Sequence, residues 1–256
     1  FDFEEVDMLL LEKSKAFLEK YAGEDREKPF FLYHSTQAVH LPSLPSESMK
    51  NKTDAGPHGD FIFELDYIVG ELVETLREHD QLDNTLLVFA SDNGPEVWTV
   101  ADMLKVYGHN GHRPWRGLKR DQWEGGHRTP FIVYWPDQIK KGGKYSHVFC
   151  QTDLMMTLAS IVNYQIPHEY AEDSYDYSGV FLGKENSDGP IRPFILHQTE
   201  RLKMAVRKGK WKYLDHKGSG GNRYPRAGLP EDGYTGDAPA QLYNLESDPG
   251  EQNNLY

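Results

Sequence analysis

Cysteine is almost missing from this 256-residue sequence. Cys150 stands alone, which excludes an internal disulfide framework and any multi-cysteine metal site. Long apolar runs are missing as well: Leu86–Ala90 is five residues and no run exceeds it, far short of the roughly 20 that a membrane-spanning helix needs. Positive charge is in deficit, with 28 Lys and Arg against 40 Asp and Glu, a net of −12. Affinity for a nucleic-acid backbone rests on clustered cations, so neither a nucleic acid nor a membrane is an expected partner. The first residue is Phe rather than Met, and Phe1–Leu11 has neither the basic start nor the cleavage site of a secretory leader. The sequence reads as a piece of a longer polypeptide. What is present, 38% hydrophobic and 12% aromatic residues, suits a folded acidic protein rather than a disordered one.

Periodicity supplies the coarse elements. Phe3, Val6, Leu10, Phe17 and Tyr21 recur at roughly helical spacing, predicting a helix over residues 4–22 that the charged stretch Gly23–Lys28 ends. Pro29–Tyr33 reads as a short buried strand, followed by a polar, Pro-rich loop to about Gly59. Phe61, Leu65, Ile68, Val69, Leu72 and Leu76 share one helical face. Leu86–Ala90 is a strand candidate, and strand, helix, strand in this order predicts a parallel βαβ unit. Residues 91–129, rich in Gly, His, Arg and Trp, read as one long functional loop. Phe131–Trp135 is a further strand, and Thr152–Val162 a helix capped by Thr152 or Asp153. Beyond about Pro167 come Phe194–Gln198, a hairpin of Met204–Arg207 and Trp211–Leu214, and Gln241–Leu245. The expected organisation is an α/β body over 1–166 and a small antiparallel sheet over 167–256.

Chemistry concentrates after the strand at 86–90, in Ser91-Asp92-Asn93-Gly94-Pro95. Ligands of open parallel sheets bind at carboxyl ends of strands, and Asp92 with Asn93 offers a carboxylate and an amide oxygen, hard donors for Ca²⁺ or Mg²⁺. Asp-Asn-Gly is also ordinary turn chemistry, and two donors do not fill a shell of roughly six to eight oxygens. Further along stand Arg116-Gly-Leu-Lys119 and Glu124-Gly-Gly-His-Arg-Thr-Pro130, the latter leading into a strand that ends Trp135-Pro136.

This ordered series resembles the formylglycine-dependent sulfatases. Gln37-Ala-Val-His-Leu-Pro42 after the 29–33 run is similar to the family's histidine loop, and Leu242-Tyr-Asn-Leu-Glu-Ser-Asp-Pro-Gly-Glu251 to its C-terminal signature. The resemblance runs from about residue 29 to the end. It implies an alkaline-phosphatase-like α/β sandwich, here partial, in which helices flank a central mixed sheet and a small C-terminal antiparallel sheet follows. It implies sulfate-ester hydrolysis with Asp92 and Asn93 as ligands of Ca²⁺ (or Mg²⁺). Lys119 would contact the sulfate, where an ammonium stabilises developing oxygen charge. His40 would stand beside the leaving-group oxygen, a place for a proton donor. His109 and Asn110, with His112, Arg113 and Trp115, fall in the loop before Lys119 and could line the substrate pocket. Two histidines without a placed third ligand make a poor zinc site. Arg128 reads as a loop-ordering residue, and Asn51-Lys-Thr53 as a formal glycosylation sequon.

The family makes its formylglycine from the Cys or Ser of a Cys/Ser-x-Pro/Ala-x-Arg motif. Cys150 has neither the Pro nor the Arg and reads as a buried small hydrophobe, and no Ser carries the motif. The acidic pair that completes the family's metal site is likewise missing. The expectation is therefore a C-terminal portion of a sulfatase, partnered by an N-terminal half that supplies the nucleophile and central strands. Its substrate would be a sulfated small molecule or glycan, and its location the periplasm or exterior of a bacterial cell. The alternatives are a phosphonate or phosphate monoester hydrolase of the same superfamily, and a non-catalytic remnant that binds sulfated glycans.

Overall fold

The computed structural model describes residues 2–24, 28–140, 142–184, 189–222 and 238–256. They fall into two compact units. The first draws its described residues from Phe1–Thr85 and Pro95–Arg113, the second from Leu86–Gly94, Pro114–Tyr224 and Asp232–Tyr256. The 166/167 boundary lies inside the second unit.

The first unit is helical. α1 (Val6–Glu24) packs on α2 (Gly56–Glu78). α1 buries Asp7, Leu11, Ser14 and Leu18, a single stripe at spacings of three and four. α1 runs to Glu24, and residues 25–27 of the charged stretch expected to end it lie outside the described set. α2 starts with Pro57 in its first turn and turns Phe61, Glu64, Ile68 and Leu76 inward, with Leu65, Val69 and Leu72 half-buried beside them.

Two sequence expectations change here. Pro29–Tyr33 joins no ladder among the described residues, and Phe31 and Tyr33 are 78% and 79% exposed. A strand exists only where a neighbouring backbone takes its hydrogen bonds, and no described segment does so for this run. The 91–129 stretch contains a helix, α3 (Val97–Tyr107). The Glu96 side chain accepts from the Val97 N–H at its start, and Gly108 closes it at φ +68°. Val97, Val100 and Ala101 supply its buried face. That spacing, with the glycine after it, was the available signal in the sequence.

In the second unit β1 (Leu87–Ala90) pairs with β2 (Phe131–Tyr134), antiparallel, with Leu87 opposite Tyr134 and Ala90 opposite Phe131. The parallel βαβ unit is thus corrected to an antiparallel pair: the ladder partner of β1 is the later strand. α4 (Leu154–Ile161) follows a 3-10 turn, Gln151–Asp153, and α5 (Ser178–Phe181) is short. Asp153, fully buried, accepts from Cys150 N–H and Tyr175 N–H at 2.9 Å each, and Arg192 grips both of its oxygens at 2.5 and 3.1 Å. Cys150 is half-buried at the start of that turn rather than fully enclosed.

A four-stranded antiparallel meander completes the unit: β3 (Ile195–Gln198), β4 (Met204–Lys208), β5 (Trp211–Leu214) and β6 (Gln241–Asn244), adjacent in chain order. β5 alternates strictly, Lys212 and Leu214 inward and Trp211 and Tyr213 outward. Ala205, Leu214, Tyr243 and Leu245 pack around Trp123, which immediately precedes the Glu124-Gly-Gly turn. The sheet therefore seats its apolar face on the segment that carries the sequence motifs. No helix among the described residues is long and apolar enough to cross a membrane.

Candidate active site

Three motifs of the second unit meet backbone against backbone. β1 runs into Ser91-Asp92-Asn93-Gly94, and the Gly94 N–H donates to the Gly126 carbonyl at 2.9 Å. A Cβ on Gly94 would lie 1.8 Å from the Gly125 carbonyl oxygen. Gly125 in turn donates to the Arg116 carbonyl at 2.7 Å, and a Cβ there would lie 2.2 Å from the Gly117 oxygen. The spacing of these chains excludes any side chain, which is the physical reason for glycine at both positions. The loop bearing Asp92 and Asn93 and the loop bearing Lys119 are thus each held against one 3-10 turn, Glu124–Gly126.

Asp92 is exposed, its Oδ1 accepting from the Asn93 N–H at 2.9 Å. Asn93 Nδ2 donates to the Gly94 carbonyl at 3.0 Å, which leaves the amide oxygen as the atom for a cation. Both donors are hard oxygens suited to Ca²⁺ or Mg²⁺, and they supply part of a shell. Among the described residues no three His, Cys, Asp or Glu side chains gather as a metal site.

The Lys119 loop is tied from both sides. Buried Asp121 accepts from the Leu118 N–H at 2.9 Å, and Asn222 donates to the Lys119 carbonyl at 2.8 Å while also donating to Asp121. Arg116, by contrast, points into the protein. Its guanidinium lies 3.7 Å from the Trp123 ring centroid and donates to the Glu251 carbonyl at 2.6 Å.

Behind the turn lies a buried ionic cluster that the sequence did not announce. Glu124 receives Arg207 at 2.7 Å, Lys212 at 3.1 Å and Arg128 at 3.3 Å. Arg128 thereby orders the loop, stacked also over Trp115 at 3.8 Å. Glu251 accepts from the Glu124 N–H at 2.6 Å, and its other oxygen is 3.4 Å from Lys212. Glu124, Lys212 and Glu251 are all fully buried. Burial pushes the Glu124 carboxyl upward, but Lys212, Arg207 and His127 outweigh it and hold it at about 2. For Glu251 burial wins over Lys212 and carries it up to about 7. His127 stacks on His197 at 3.8 Å. Burial, then the Lys212 charge, lowers both, His197 to about 4 and His127 well below its ordinary value.

These shifts oppose each other in acid. A histidine whose value is lowered on folding contributes stability present above about 6.5 and lost as pH falls through the folded value. Glu251 has the reverse sign: its contribution is full below the ordinary carboxylate range and is lost as pH rises through about 7. Two histidines outweigh one carboxylate, so the thermal midpoint should fall between pH 6.5 and 4.5, less steeply than the histidines alone would give. Glu251→Gln, which deletes the opposing contribution, should make that fall steeper. Equal slopes in thermal scans across this range would show that the cluster is not titrating as described.

In the first unit, the 34–55 loop hangs on three buried carboxylates. Asp7 of α1 accepts from Gln37 and Ala38, Glu64 of α2 from Ser46, and Asp60 of α2 from Asn51, Lys52 and Thr53. His40 is exposed on this loop. Its Nδ1 lies 2.6 Å from the Leu41 carbonyl, which can only accept, so Nδ1 carries hydrogen and Nε2 is the nitrogen left to exchange a proton. His109 is exposed just past α3, its N–H donating to the Met103 carbonyl, and Asn110 is half-buried beside it. The structure thus joins Asp92, Asn93 and Lys119 within one unit, and sets His40, His109 and Asn110 on loops of the other. Sequence reasoning missed Asp7, Asp121, Lys212, Asn222 and Glu251. Of these only Glu251 carried a signal, as the last residue of the C-terminal signature.

The comparisons with known proteins agree with this architecture. The Sulfatase family model matches residues 4–164, and the chain belongs to the sulfatase family. Among its relatives is an N-acetylgalactosamine-6-O-sulfatase of Bacteroides thetaiotaomicron, 34% identical over 98% of this chain and 48% of its own length. Human arylsulfatase A is 30% identical over 90% of this chain and 45% of its own. A solved structure from work on the metabolism of multiple glycosaminoglycans by Bacteroides thetaiotaomicron superposes with a TM-score of 0.83 at 32% identity, covering all of this chain and 51% of that one. A sulfatase from Pseudoalteromonas sp. gives 0.80 at 30% identity, over 98% of this chain and 48% of the other. The fold is accordingly that of the alkaline-phosphatase-like sulfatases. The chain spans about half the length of the curated relatives it matches.

Proposed function

We propose that this chain is the C-terminal part of a sulfatase that hydrolyses a sulfate ester, with the nucleophile supplied by sequence outside these 256 residues. The observation that supports the reading is the backbone stack at Gly94, Gly125 and Gly117, which packs the loop of Asp92 and Asn93 and the loop of Lys119 against a single turn. A formylglycine, when present, supplies a hydrated aldehyde oxygen to attack sulfur. This chain's part is to bind and polarise. Asp92 and Asn93 would hold Ca²⁺, or Mg²⁺, through their oxygens. The Lys119 ammonium would bind the sulfate oxygens and stabilise the charge that grows on them. His40, through Nε2, would deliver a proton to the departing alcohol oxygen. His109 and Asn110 would line the substrate side. The bacterial relative named as an N-acetylgalactosamine-6-O-sulfatase favours a carbohydrate sulfate, in a periplasmic or secreted enzyme. The net charge of −12 disfavours long-range attraction of a polyanion and so favours a small or chain-end substrate.

The test is to produce this chain together with an N-terminal half carrying formylglycine and to assay sulfate and phosphate esters side by side. Sulfate-ester turnover is expected. Lys119→Ala should lower kcat by on the order of 10²–10³. Preference for phosphate esters or phosphonates, or tight binding of a sulfated glycan with no turnover, would overturn the proposal.

A further inference from the structure

We infer that Asp7 is a positioning residue for His40, its buried carboxylate fixing the loop from which the imidazole works. The inference rests on the sulfatase reading, which gives His40 a proton to deliver. Asp7 sits in the first turn of α1, thirty residues before the loop, and is 2% exposed. Its two oxygens are divided between two consecutive amides: Oδ1 accepts from Gln37 N–H and Oδ2 from Ala38 N–H, each at 2.7 Å. These are charge-assisted bonds in a water-poor setting, stronger than neutral ones and directional.

From there the path to the imidazole is short. The Gln37 carbonyl accepts from the His40 N–H at 2.7 Å, and Thr36 Oγ1 donates to the Ala38 carbonyl at 2.7 Å. The carboxylate therefore sets the entry of a turn whose exit is His40 itself. The Nδ1 contact with the Leu41 carbonyl then sets the ring. At the other end, α1 is a firm mount. Leu11 and Leu18 are buried, and Lys15 pairs with Glu71 of α2 at 2.7 Å. The other two buried carboxylates of the loop act farther along it, Glu64 at Ser46 and Asp60 at residues 51–53. Asp7 alone of the three is bonded within the turn that ends in His40.

Asn at position 7 keeps the shape and removes the match. Its oxygen can still accept one amide, while its NH₂ faces the other N–H as a second donor. The turn shifts and the imidazole loses its aim. A shift of about an ångström at a catalytic group costs on the order of 10²-fold. The loss falls where the proton matters. An alkyl or sugar sulfate has a poor leaving group and needs protonation, whereas 4-nitrophenyl sulfate releases a stable phenolate without it.

The experiment uses the complete enzyme, these residues together with the formylglycine segment, and compares an alkyl sulfate with 4-nitrophenyl sulfate. Asp7→Asn should lower kcat on the alkyl sulfate by on the order of 10–100-fold and on the aryl sulfate by less than about threefold. Asp7→Glu, which keeps the charge, should fall between wild type and Asp7→Asn. Combined with His40→Ala, Asp7→Asn should add nothing further, since it acts through that ring. Asp60→Asn, a loop anchor remote from the turn, should lower both substrates equally. Equal losses on the two substrates in Asp7→Asn, or losses additive with His40→Ala, would overturn the positioning role while leaving the sulfatase reading intact. A wild-type enzyme inert to every sulfate ester would overturn the sulfatase reading, and this inference with it.

Discussion

Glu124→Ala is expected to destabilise the second unit by about 3–5 kcal/mol, the cost of stripping one partner from a buried ionic group. The side chain is fully buried and is the common acceptor for Lys212, Arg207 and Arg128. Without it, fully buried Lys212 faces Glu251 alone at 3.4 Å, with His127 at 2.9 Å. Arg207 and Arg128, partly exposed, can turn to water and lose less. The damage therefore centres on Lys212. Adding Lys212→Met should recover a substantial part of the loss, because removing both charges avoids the unpaired one. Chemical denaturation of the two single variants and the double variant measures this directly. Strict additivity would show that the two side chains do not depend on each other.

Gly125→Ala should be as damaging through a different cause. The new methyl would lie 2.2 Å from the Gly117 carbonyl oxygen and 2.7 Å from that of Arg116. Both are main-chain atoms and cannot swing aside as a flexible side chain would. The turn must move off the Lys119 loop, breaking the Gly125–Arg116 hydrogen bond. A loss of about 3 kcal/mol or more is expected, at the upper end for overpacking because backbone has to give way. Gly142, which has nothing within 4 Å of an added Cβ, serves as the comparison, and its alanine variant should lie within about 0.5 kcal/mol of wild type. Similar thermal midpoints for the two variants would refute the close-packing account. Since the same turn seats Gly94, Gly125→Ala should also weaken Ca²⁺ binding at the site proposed for Asp92 and Asn93, measurable by calorimetry on the complete enzyme.

The order of motifs along the chain was legible because each is a local pattern. Asp92-Asn93-Gly94, Arg116-Gly-Leu-Lys119 and Glu124-Gly-Gly each combine a reactive or charged group with the glycine its turn requires. α2, α4 and the β4–β5 hairpin were legible for the same reason, with periodicity or a turn glycine written within a few residues. Pro29–Tyr33 was not, since its apolar pattern is strand-like but a ladder needs a partner that local sequence cannot name. α3 is marked by Val97, Val100, Ala101 and Gly108, but the His, Arg and Trp around it give the stretch the composition of a loop. The antiparallel pairing of β1 with β2 was hidden by a further rule, that an intervening helix suggests a parallel crossover.

By itself the sequence determined the family and the order of its loops, and it supplied the residues proposed for a sulfate and a cation. Tertiary structure alone decided how those residues are held. Glu251 meets the Glu124 amide across 127 positions, Asp7 meets the histidine loop across 30, and Asn222 meets the Lys119 carbonyl across 103. Helical and strand periodicities arise from hydrogen bonds and side-chain directions that repeat every few residues, so they are visible in a window of that size. The partner of a buried charge is set by which distant backbones come to share the same dry volume. There an unpaired charge is so costly that packing and pairing are settled together.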